Sequence, residues 1–551
     1  MELRKIINNF FFYNLFVKNK FIFLIIFIHF LLINFTLPIV DVFNDKILIT
    51  DDYPYKYFEV KKLKESIINF EFYYCDEITG FYTKFSTSSE KIIVLISLLF
   101  YFISVNFIFK FTIFLEILIL PLFIYFSSRN FGLNNFSSKI SIVLSIFIIH
   151  FDLVVHAFIY VGIISYLLSI FISIYAISYF YKYYNKLNLL IIIKFLVICF
   201  ISIFLHVFGI ITILISVSVI ILFFIIKEFK LKYNFINFIK LKYKYYFIIL
   251  ITFILFILFI FSLFTFVFRM QPAEMQLDQN NGFETLFFDF QHNPLKMIIL
   301  FFGFLSLLFL LKDTNFNSFS FFFISIVAIL FFIGYFGSIL NFFQYLKPYR
   351  LSIVLILFLI FPIAKYLDIF IKSKMKMKGK VVLIIIIYLL IFIYFSLAMS
   401  NMFHTSLGTG WGQKISTEIP NDTKLLLNWI IKETNNDSLI LIEGSSNLDY
   451  RYNHVYGGHV SVLFNEFTNR SFITYSDHTH ERLINPKLYL KDGKINLKDL
   501  NKEFNYFNKL IRKKHINLIV VWSENSKKAF INQSYFKLNK TIGKFNVYGV
   551  I

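Results

Sequence analysis

Long apolar segments separated by polar loops fill residues 1–399 of the chain. A helix needs about 20 apolar residues to cross a bilayer, and roughly eleven segments of this kind can be placed. The predicted spans are 21–40, 108–128, 139–150, 161–180, a hairpin of two within 189–226, 246–268, 295–311, 318–336, 351–370 and 381–399. The pattern therefore predicts an all-α membrane bundle of about eleven transmembrane helices.

The polar loops between these spans differ in charge. The basic loops fall on one side of the predicted bundle: 129–139, 181–188, 227–244 and 372–380. Basic loops favour the cytoplasmic side of a membrane, so the same scheme places the N-terminus inside. The basic residues before Phe21 are not followed by a small-residue cleavage site, which indicates an uncleaved first span.

The opposite, outer side carries the longer polar segments. The largest is the loop 41–90, in which DDYPYKYFEVKKLKES predicts a turn at Pro54 followed by an amphipathic helix. Residues 91–106 are predicted to form a helix along the outer surface, and HFDLVVHAF to form a second outer turn. The segment LHVFG is predicted to be a hairpin turn that places His206 at the outer face.

From Ser400 onward the pattern is that of a soluble α/β domain, predicted over 400–551. Because the last predicted span ends on the outer side of the membrane, this domain is predicted to be extracytoplasmic. Asn421 and Asp422 are suited to cap a helix with the sequence TKLLLNWIIKET. The segments SLILIEG and INLIVVW are typical of buried strands, and LKDLNKEFNYFNKLIRKKH predicts a long amphipathic helix.

Composition supports a membrane protein. Of the 551 residues, 58% are hydrophobic and 21% aromatic, and a soluble fold could not cover that much apolar surface. The formal net charge of +21 would suggest a nucleic-acid partner in a soluble protein. Here most of the positive charge falls in the predicted inner loops, so we expect membrane lipid and no nucleic acid as the partner.

Paired carboxylates, Asp51 and Asp52, lie just before Pro54 in the first outer loop. Such a pair can deprotonate an acceptor hydroxyl or bind a divalent cation. A solvated loop edge explains the same residues equally well. Any metal is therefore unknown from the sequence, with a divalent cation as the candidate.

Other ionisable residues stand near the predicted membrane surface. His150, Asp152 and His156 cluster at the second outer turn, where they form either a metal site or the polar ends of two spans. Glu116 lies within the second span and is predicted to face the interior of the bundle rather than lipid.

Two arginines and a histidine complete the candidates for ligand binding. Arg269 and Arg350 each stand at an outer span end, where a guanidinium can bind a phosphate or simply anchor the helix at the interface. In the outer domain, the Gly457-Gly458 turn presents His459. The sequence has no Walker loop, Rossmann fingerprint or zinc-finger spacing.

Several of these segments together resemble a known family. They are the Asp-containing first outer loop, the second span FKFTIFLEILILPLFIYFSSRNFGL, the LHVFG hairpin, LKPYR, YGGH and the closing INLIVVWSENSKKAF. They look like a largely archaeal group of multi-span proteins labelled 6-pyruvoyl-tetrahydropterin synthase-related, which is similar to the bacterial YfhO-like proteins. The resemblance covers nearly the whole chain. That family in turn resembles the type C (GT-C) superfamily of glycosyltransferases.

The resemblance implies a GT-C-like fold that takes sugar from a polyprenyl-phosphate carrier at the outer face and uses an acidic residue of the first outer loop. By this resemblance Asp52 matches the loop acid, Arg350 matches an arginine near the carrier phosphate, and His206 matches a hairpin histidine. Lys56 departs from the family, in which a histidine usually stands four residues after the acid.

Oligosaccharyltransferases share this general layout, but their Trp-Trp-Asp-Tyr-Gly signature is absent, and Leu448-Asp449-Tyr450 is the nearest approach. Transfer to Asn sequons is therefore not expected. The predicted function is an inverting membrane glycosyltransferase of surface glycan or glycolipid assembly, with a polyprenyl-phosphate-linked sugar as donor. The alternative is a non-enzymatic transporter, flippase or scaffold for lipid-linked glycans. A solute transporter would show inverted repeats with broken spans, and the sequence has none.

Overall fold

The computed structural model of the protein describes residues 20–50, 52–75, 82–85, 88, 90–206, 208–231, 282–313, 318–339, 348–372, 414–443, 463–473, 490–491, 494–495, 498–500, 503–531 and 533–551. The predicted spans 246–268 and 381–399 lie outside these residues. So do three candidate site residues, Asp51, Arg269 and His459.

The first part of the chain is helical. Its helices are α1 (Lys20–Thr36), α2 (Ile39–Phe43), α3 (Tyr53–Ile68), α4 (Lys91–Leu99), α5 (Val105–Asn130), α6 (Asn135–Phe151), α7 (Leu153–Val161), α8 (Ile164–Tyr183), α9 (Leu189–Leu205), α10 (Phe208–Leu231), α11 (Gly282–His292), α12 (Pro294–Asp313), α13 (Ser318–Phe336) and α14 (Leu351–Lys372). A short antiparallel hairpin, β1 (Tyr73–Cys75) and β2 (Tyr82–Lys84), lies between α3 and α4.

Five helices of the described residues are long and apolar enough to cross a membrane: α5, α8, α12, α13 and α14. The pair α6 and α7 adds a sixth if it is one bent span, and α1, α9 and the first part of α10 are shorter apolar helices. The described part of the chain therefore supports a multi-span helical bundle, while the predicted number of eleven is not confirmed.

Two helices form the centre of this bundle. Helix α8 packs against α5, α9 and α10, and helix α14 packs against α6, α12 and α13. Both helices are mostly apolar and bury most of their side chains, as is typical of helices at the centre of a bundle.

The segment HFDLVVHAF differs from its prediction as a turn. Its residues from Leu153 onward form α7, which is bent by 63° from α6 at Asp152. The Asp152 carboxylate causes the break, because its Oδ1 accepts hydrogen bonds from the backbone N–H groups of Val154 and Val155, both at 3.0 Å. Gly162 ends α7 with a φ of +93°, a backbone conformation that side chains other than glycine rarely adopt.

The surface helix predicted over 91–106 is also shorter than expected. Helix α4 ends at Leu99, and Ser104 caps the next helix by accepting a hydrogen bond from the N–H of Phe107 at 3.2 Å. The N-terminal cap of α5 therefore separates the surface helix from the span.

The C-terminal unit, residues 414–551, is an α/β structure. It contains α15 (Asn421–Glu433), β3 (Leu439–Ile442), α16 (Phe464–Thr468), β4 (Ser471–Ile473), β5 (Leu490–Lys491), β6 (Lys494–Ile495), β7 (Lys498–Asp499), α17 (Phe504–Lys513), β8 (Ile516–Val521), α18 (Glu524–Ile531), β9 (Phe536–Ile542) and β10 (Phe545–Val550). Five strands form one sheet in the order β4-β3-β8-β10-β9, with β4, β3 and β8 parallel. Apolar clusters cover both faces of this sheet.

Two details of the C-terminal unit correct the sequence prediction. Pro420, rather than Asn421, occupies the N-cap position of α15, and no side chain caps that helix. The long helix predicted from Leu497 begins only at Phe504, because Lys498 and Asp499 pair with Lys494–Ile495 in a small antiparallel sheet. Strand pairing has overridden the local helical pattern there.

The C-terminal unit is docked on one end of the bundle. The Ile415 N–H donates to the carbonyl of Thr36, and the Ile49 N–H donates to the carbonyl of Ser416, both at 2.8 Å. An ion pair between Lys61 of α3 and Glu466 of α16 adds a second connection. We call this end of the bundle the sheet side.

Candidate functional site

The candidate site is built around the corner where α7 meets α8, on the sheet side. Residues 158–166 form this α7–α8 corner, with Gly162 at its tip. The ring of Tyr53 lies 3.4 Å from where a Cβ on Gly162 would stand. Glycine is required at position 162 because of its φ of +93°, and the contact with Tyr53 shows that α3 lies directly against the corner.

Asp52 is held at this corner by its backbone. Its N–H donates to the carbonyl of Val161 at 3.3 Å, and the neighbouring Tyr53 hydroxyl donates to the carbonyl of Ile159 at 2.5 Å. Asp52 itself is half-buried and stands at the N-cap position of α3. A carboxylate at a helix N-terminus is stabilised by the helix dipole.

Lys56, one turn after Asp52, ties α3 to the corner. Its Nζ lies 2.7 Å from Oε1 of Glu90 and donates to the carbonyl of Gly162 at 2.6 Å. Ser165 donates to the other Glu90 oxygen at 3.2 Å. Burial lowers the pKa of Lys56, but the charges of Glu90, Asp52 and Glu59 outweigh burial and raise it above its ordinary value. Lys56 is therefore an ammonium in an ion pair, at a position where the resembled family usually has a histidine.

Arg350 reaches the same corner from the start of α14. Its guanidinium lies over three aromatic rings, with Cζ 5.7 Å from the centroid of Phe158, 5.6 Å from Tyr166 and 5.7 Å from Phe208. The Tyr166 hydroxyl donates to the Arg350 carbonyl at 2.7 Å. The Nε atom of Arg350 is buried and has no hydrogen-bond partner in the described part of the chain. We call this arrangement the aromatic cage of Arg350.

His206 lies in the turn between α9 and α10, as predicted. Its ring stands edge-on to the ring of Tyr166 at 5.2 Å, and the Phe208 N–H donates to its Nδ1 at 3.3 Å. The turn is fixed by close packing of serines, since Ser169 donates to the His206 carbonyl at 3.1 Å. Three predicted site residues therefore gather at the corner: Asp52, Arg350 and His206.

A second polar network lies beside this corner. Asn293 donates to Oδ2 of Asp152 at 3.0 Å, and Lys296 forms an ion pair with Asp289 at 2.6 Å. Asp289, Asn293 and Lys296 were not among the predicted site residues. Positions 289, 293 and 296 have the i, i+4, i+7 spacing of a helical face, a signal that could have revealed them, although Asn293 separates α11 from α12 in the structure.

For His150, Asp152 and His156, the contacts favour the polar ends of two spans over a metal site. Both Asp152 oxygens already accept hydrogen bonds, and the His150 Nε2 lies 2.8 Å from Nδ1 of His29, too close for a metal ion between the rings. Both ring nitrogens of His156 are buried, and no described residue hydrogen-bonds to either of them. Within the described ranges there is no group of three or more metal-ligating side chains.

Glu116 faces the interior of the bundle, in agreement with its prediction. The residue is 4% exposed, and neither of its carboxyl oxygens has a hydrogen-bond partner among the residues described above. It lies within electrostatic range of Lys56 and Glu90, on the membrane side of the candidate site.

Comparison with known proteins supports the fold. No protein-family model and no curated protein matches the sequence, so the resemblance to the archaeal and YfhO-like group is not confirmed. Solved structures do match. The archaeal oligosaccharyltransferase AglB from Archaeoglobus fulgidus, solved with an inhibitory peptide and a dolichol-phosphate, is 13% identical with a TM-score of 0.56, over 97% of this chain and 75% of that one.

A second match is ArnT from Cupriavidus metallidurans, solved with undecaprenyl phosphate. It is 12% identical with a TM-score of 0.52, over 97% of this chain and 98% of that one. The apo oligosaccharyltransferase from Archaeoglobus fulgidus also matches, at 12% identity and a TM-score of 0.54, over 92% of this chain and 70% of that one. At such identities the likeness establishes the fold alone. The chain is a multi-pass membrane protein with the fold of the type C glycosyltransferases.

Proposed function

We propose that the protein transfers a sugar from a polyprenyl-phosphate-linked donor to an acceptor hydroxyl at the outer face of the membrane. The role we infer is the assembly of a surface glycan or glycolipid. The observation that carries this proposal is the α7–α8 corner, which brings a carboxylate, Asp52, and a caged guanidinium, Arg350, to one place on the sheet side. Such a transfer requires a base for the acceptor hydroxyl and a cationic group that binds the donor phosphate.

The proposed reaction uses Asp52 as the general base. The acceptor hydroxyl gives its proton to the Asp52 carboxylate while its oxygen attacks the anomeric carbon of the donor. The bond from that carbon to the phosphate oxygen breaks, and polyprenyl phosphate leaves with the electron pair. Attack opposite the leaving group inverts the anomeric configuration. The sequence partner Asp51 is proposed as an auxiliary to Asp52.

Arg350 is proposed to bind the leaving phosphate. Its aromatic cage stabilises the cation through the faces of three rings and removes it partly from water. The Nε–H has no partner among the residues that the structure describes, so it can donate to a phosphate oxygen together with an Nη–H in the bidentate geometry typical of arginine. The solved relatives carry dolichol-phosphate and undecaprenyl phosphate, which have this headgroup.

The acceptor is proposed to be a hydroxyl rather than an Asn side chain. The chain matches 98% of ArnT but 75% of the archaeal oligosaccharyltransferase, so a quarter of the latter has no counterpart here. The oligosaccharyltransferase signature is also missing from the sequence. His206, beside the cage, is proposed to contact the donor. Arg269 and His459 remain candidate binding residues outside the described part of the chain.

The experiment is sugar transfer in proteoliposomes with a panel of lipid-linked sugars and glycolipid acceptors. Asp52→Asn keeps the shape of the side chain but removes its basicity, so the rate should fall by about 100-fold or more while donor binding persists. Asp51→Asn should cost less. The matched control is Asp45→Asn, an exposed residue of the same loop that should retain the parent rate.

Full activity of Asp52→Asn would exclude this residue as the base. A parent protein that transfers none of the panel sugars would contradict the transferase proposal. It would favour a flippase or scaffold, whose binding of lipid-linked glycans needs the arginine but no base.

A further inference from the structure

The C-terminal end of α3 has an unusual residue at its turn. Phe70, just after this helix, has a φ of +63°. Its N–H donates to the carbonyl of Ile67, and the Glu71 N–H donates to the carbonyl of Ser66, both at 2.9 Å. This pair of bonds is the Schellman motif, in which the residue with positive φ is usually glycine. Phe70 therefore holds a backbone conformation that bulky side chains rarely adopt.

Phe70 also differs from comparable residues elsewhere in the described chain. Asn469 and His515 have a positive φ as well, but asparagine and histidine are residue types that tolerate this conformation. The Phe70 side chain gains no packing in return, because the residue is 89% exposed. Neither backbone preference nor the core of the described residues explains a phenylalanine at this turn.

Phe70 belongs to a larger exposed apolar surface. Lys64 of α3 donates to the carbonyl of Tyr101 at 3.4 Å, so the last turns of α3 lie beside the segment that follows α4. Both segments present large apolar side chains that are each more than half exposed. We call this surface the aromatic edge, and it consists of Ile68, Phe70, Phe72, Leu99, Tyr101 and Phe102. Surfaces of this kind mark contacts with a partner or a membrane.

The aromatic edge lies at the membrane boundary on the sheet side. Helix α5 is long and apolar enough to cross a membrane, and it begins at Val105, shortly after Phe102. The ring of Phe107 in its first turn lies 5.6 Å from the ring of Phe43, which follows the end of α1. The start of one apolar helix and the end of another thus mark the same level. Aromatic side chains are enriched at this level of a bilayer.

We infer that the aromatic edge inserts into the headgroup region of the bilayer and anchors the C-terminal end of α3 to lipid. The contact withdraws the Phe70 ring from water, which offsets its unfavourable backbone conformation. Helix α3 is then held at both ends, by the α7–α8 corner next to Asp52 and by lipid at Phe70. This inference concerns membrane contact and does not depend on the proposed sugar transfer.

Spin labels test the lipid contact. The label is attached to Phe70→Cys or Tyr101→Cys after Cys75 and Cys199 have been replaced by serine, and the full-length protein is reconstituted in liposomes of phosphatidylcholine and phosphatidylglycerol. EPR power saturation should show several times more collisions with O₂, which dissolves in lipid, than with a water-soluble nickel chelate. The matched control is Leu538→Cys, an exposed leucine of edge strand β9, which should show the reverse.

Hydrogen exchange in lipid nanodiscs provides an independent measurement. Phe70→Gly relieves the backbone conformation, so on backbone grounds alone the amides at the end of α3 should exchange more slowly. Loss of the lipid anchor should instead make them exchange several times faster. The matched control is His515→Gly, at the corresponding turn after α17, which should slow exchange or leave it unchanged.

Three results would overturn the inference. Frequent collisions of the labels at positions 70 and 101 with the nickel chelate would place the aromatic edge in water. Exclusion of both reagents would show that protein covers it. Slower exchange at the end of α3 in Phe70→Gly would show that the ring anchors nothing. If Phe70→Cys does not fold, the label at Tyr101→Cys, which leaves Phe70 in place, decides among the first two.

Discussion

Arg350 shows how one residue can be charged, partly buried and still able to bind. Three ring faces stabilise its cation, each worth about 0.5–2 kcal/mol depending on desolvation, and they do so without using an N–H donor. An arginine that merely anchors a helix at the interface would direct its guanidinium to water or headgroups. The aromatic cage therefore favours a ligand-binding role over the anchor that the sequence left open.

The residue-scale prediction concerns the N–H donors of the Arg350 guanidinium. Arg350→Lys keeps the charge but loses the planar guanidinium, so affinity for a polyprenyl phosphate should fall about tenfold, or about 1.4 kcal/mol. Native mass spectrometry of the variant in nanodiscs that contain undecaprenyl phosphate measures the bound fraction.

Arg129→Lys is the control for the loss of an arginine at a span end. Arg129 lies in the last turn of α5 and donates to the carbonyl of Leu133 at 3.1 Å, so its replacement should leave lipid-phosphate binding unchanged. Equal binding by Arg350→Lys and the parent would reduce Arg350 to an interfacial anchor.

Sequence reasoning could select the site residues that carry a family resemblance but not their buried partners. Asp52, His206 and Arg350 were selected, and the structure brings them to one corner. Lys296 was missed, because a lysine at the start of a span is ordinarily explained by the interface. Its partner Ser352 is 56 residues away, and such a distant contact has no signal in a single sequence.

At the scale of elements, the break between α6 and α7 was the largest local difference from expectation. A run of nine residues with His and Asp at its start resembles a turn between two spans. The helix is revealed only by the cap at Asp152 and the stop at Gly162, two single residues that bound a helix shorter than three turns. Apolar periodicity is not informative over so short a segment.

The carboxyl ends of β3 and β8 form another notable element. Glu443 follows β3 and is 2% exposed. Its Oε2 accepts from the N–H groups of Trp522 and Ser523, and its Oε1 accepts from the hydroxyls of Ser523 and Ser526. One carboxyl group thus joins two neighbouring parallel strands and the start of α18.

This arrangement predicts a pH dependence. Burial raises the pKa of Glu443 above its ordinary value, and the bonds from Ser523, Ser526 and Trp522 offset only part of that rise. The folded state therefore holds its proton more tightly than the unfolded state. The stability contributed by this group is complete below the unfolded pKa of about 4.3 and is lost as pH rises through the folded pKa.

Glu443→Gln tests the pH dependence. The Gln carbonyl can accept from the backbone N–H groups and its amide can donate to the two hydroxyls, so the variant should fold. It should lack the decline in stability that we expect of the parent as pH rises from about 4.3 through the folded pKa. Unfolding followed by the fluorescence of the tryptophans, which include Trp429 and Trp522 of the C-terminal unit, measures both, with the exposed Glu524→Gln as control. Parallel pH profiles of parent and Glu443→Gln would contradict the prediction.

For the whole molecule, orientation in the membrane decides which substrates the site can meet. The basic loops predicted on one side place the α7–α8 corner and the C-terminal unit on the opposite side, where lipid-linked sugars are used outside the cell. We therefore predict that the corner faces the extracytoplasmic space, with the N-terminus in the cytoplasm.

Reporter fusions test this orientation. A fusion at position 235, in the most basic loop, should report a cytoplasmic location, and fusions at positions 450 and 551 should report the outer side. Finding position 450 in the cytoplasm would reverse the scheme and exclude every function that depends on an outer site.

The overall architecture could be predicted from the sequence better than the number of transmembrane helices. The predicted spans 108–128, 318–336 and 351–370 each match a helix to within three residues at either end. Length and apolarity alone determine such spans. The strand order of the C-terminal sheet could not be predicted, because it depends on contacts between segments such as β3 and β8 that are far apart in sequence.

The hydrogen bonds that dock the C-terminal unit join segments that are synthesised at different times. Thr50, two residues before Asp52, accepts from the backbone of Ser416 at 2.7 Å across 366 residues of chain. During synthesis the segment leading into Asp52 is inserted early, but its partner emerges from the ribosome only after the last predicted span. A nascent or truncated chain that ends before Ser416 lacks the hydrogen bond from Ser416 to Thr50. The proposed base Asp52 is therefore fully positioned only after the last predicted span has been synthesised.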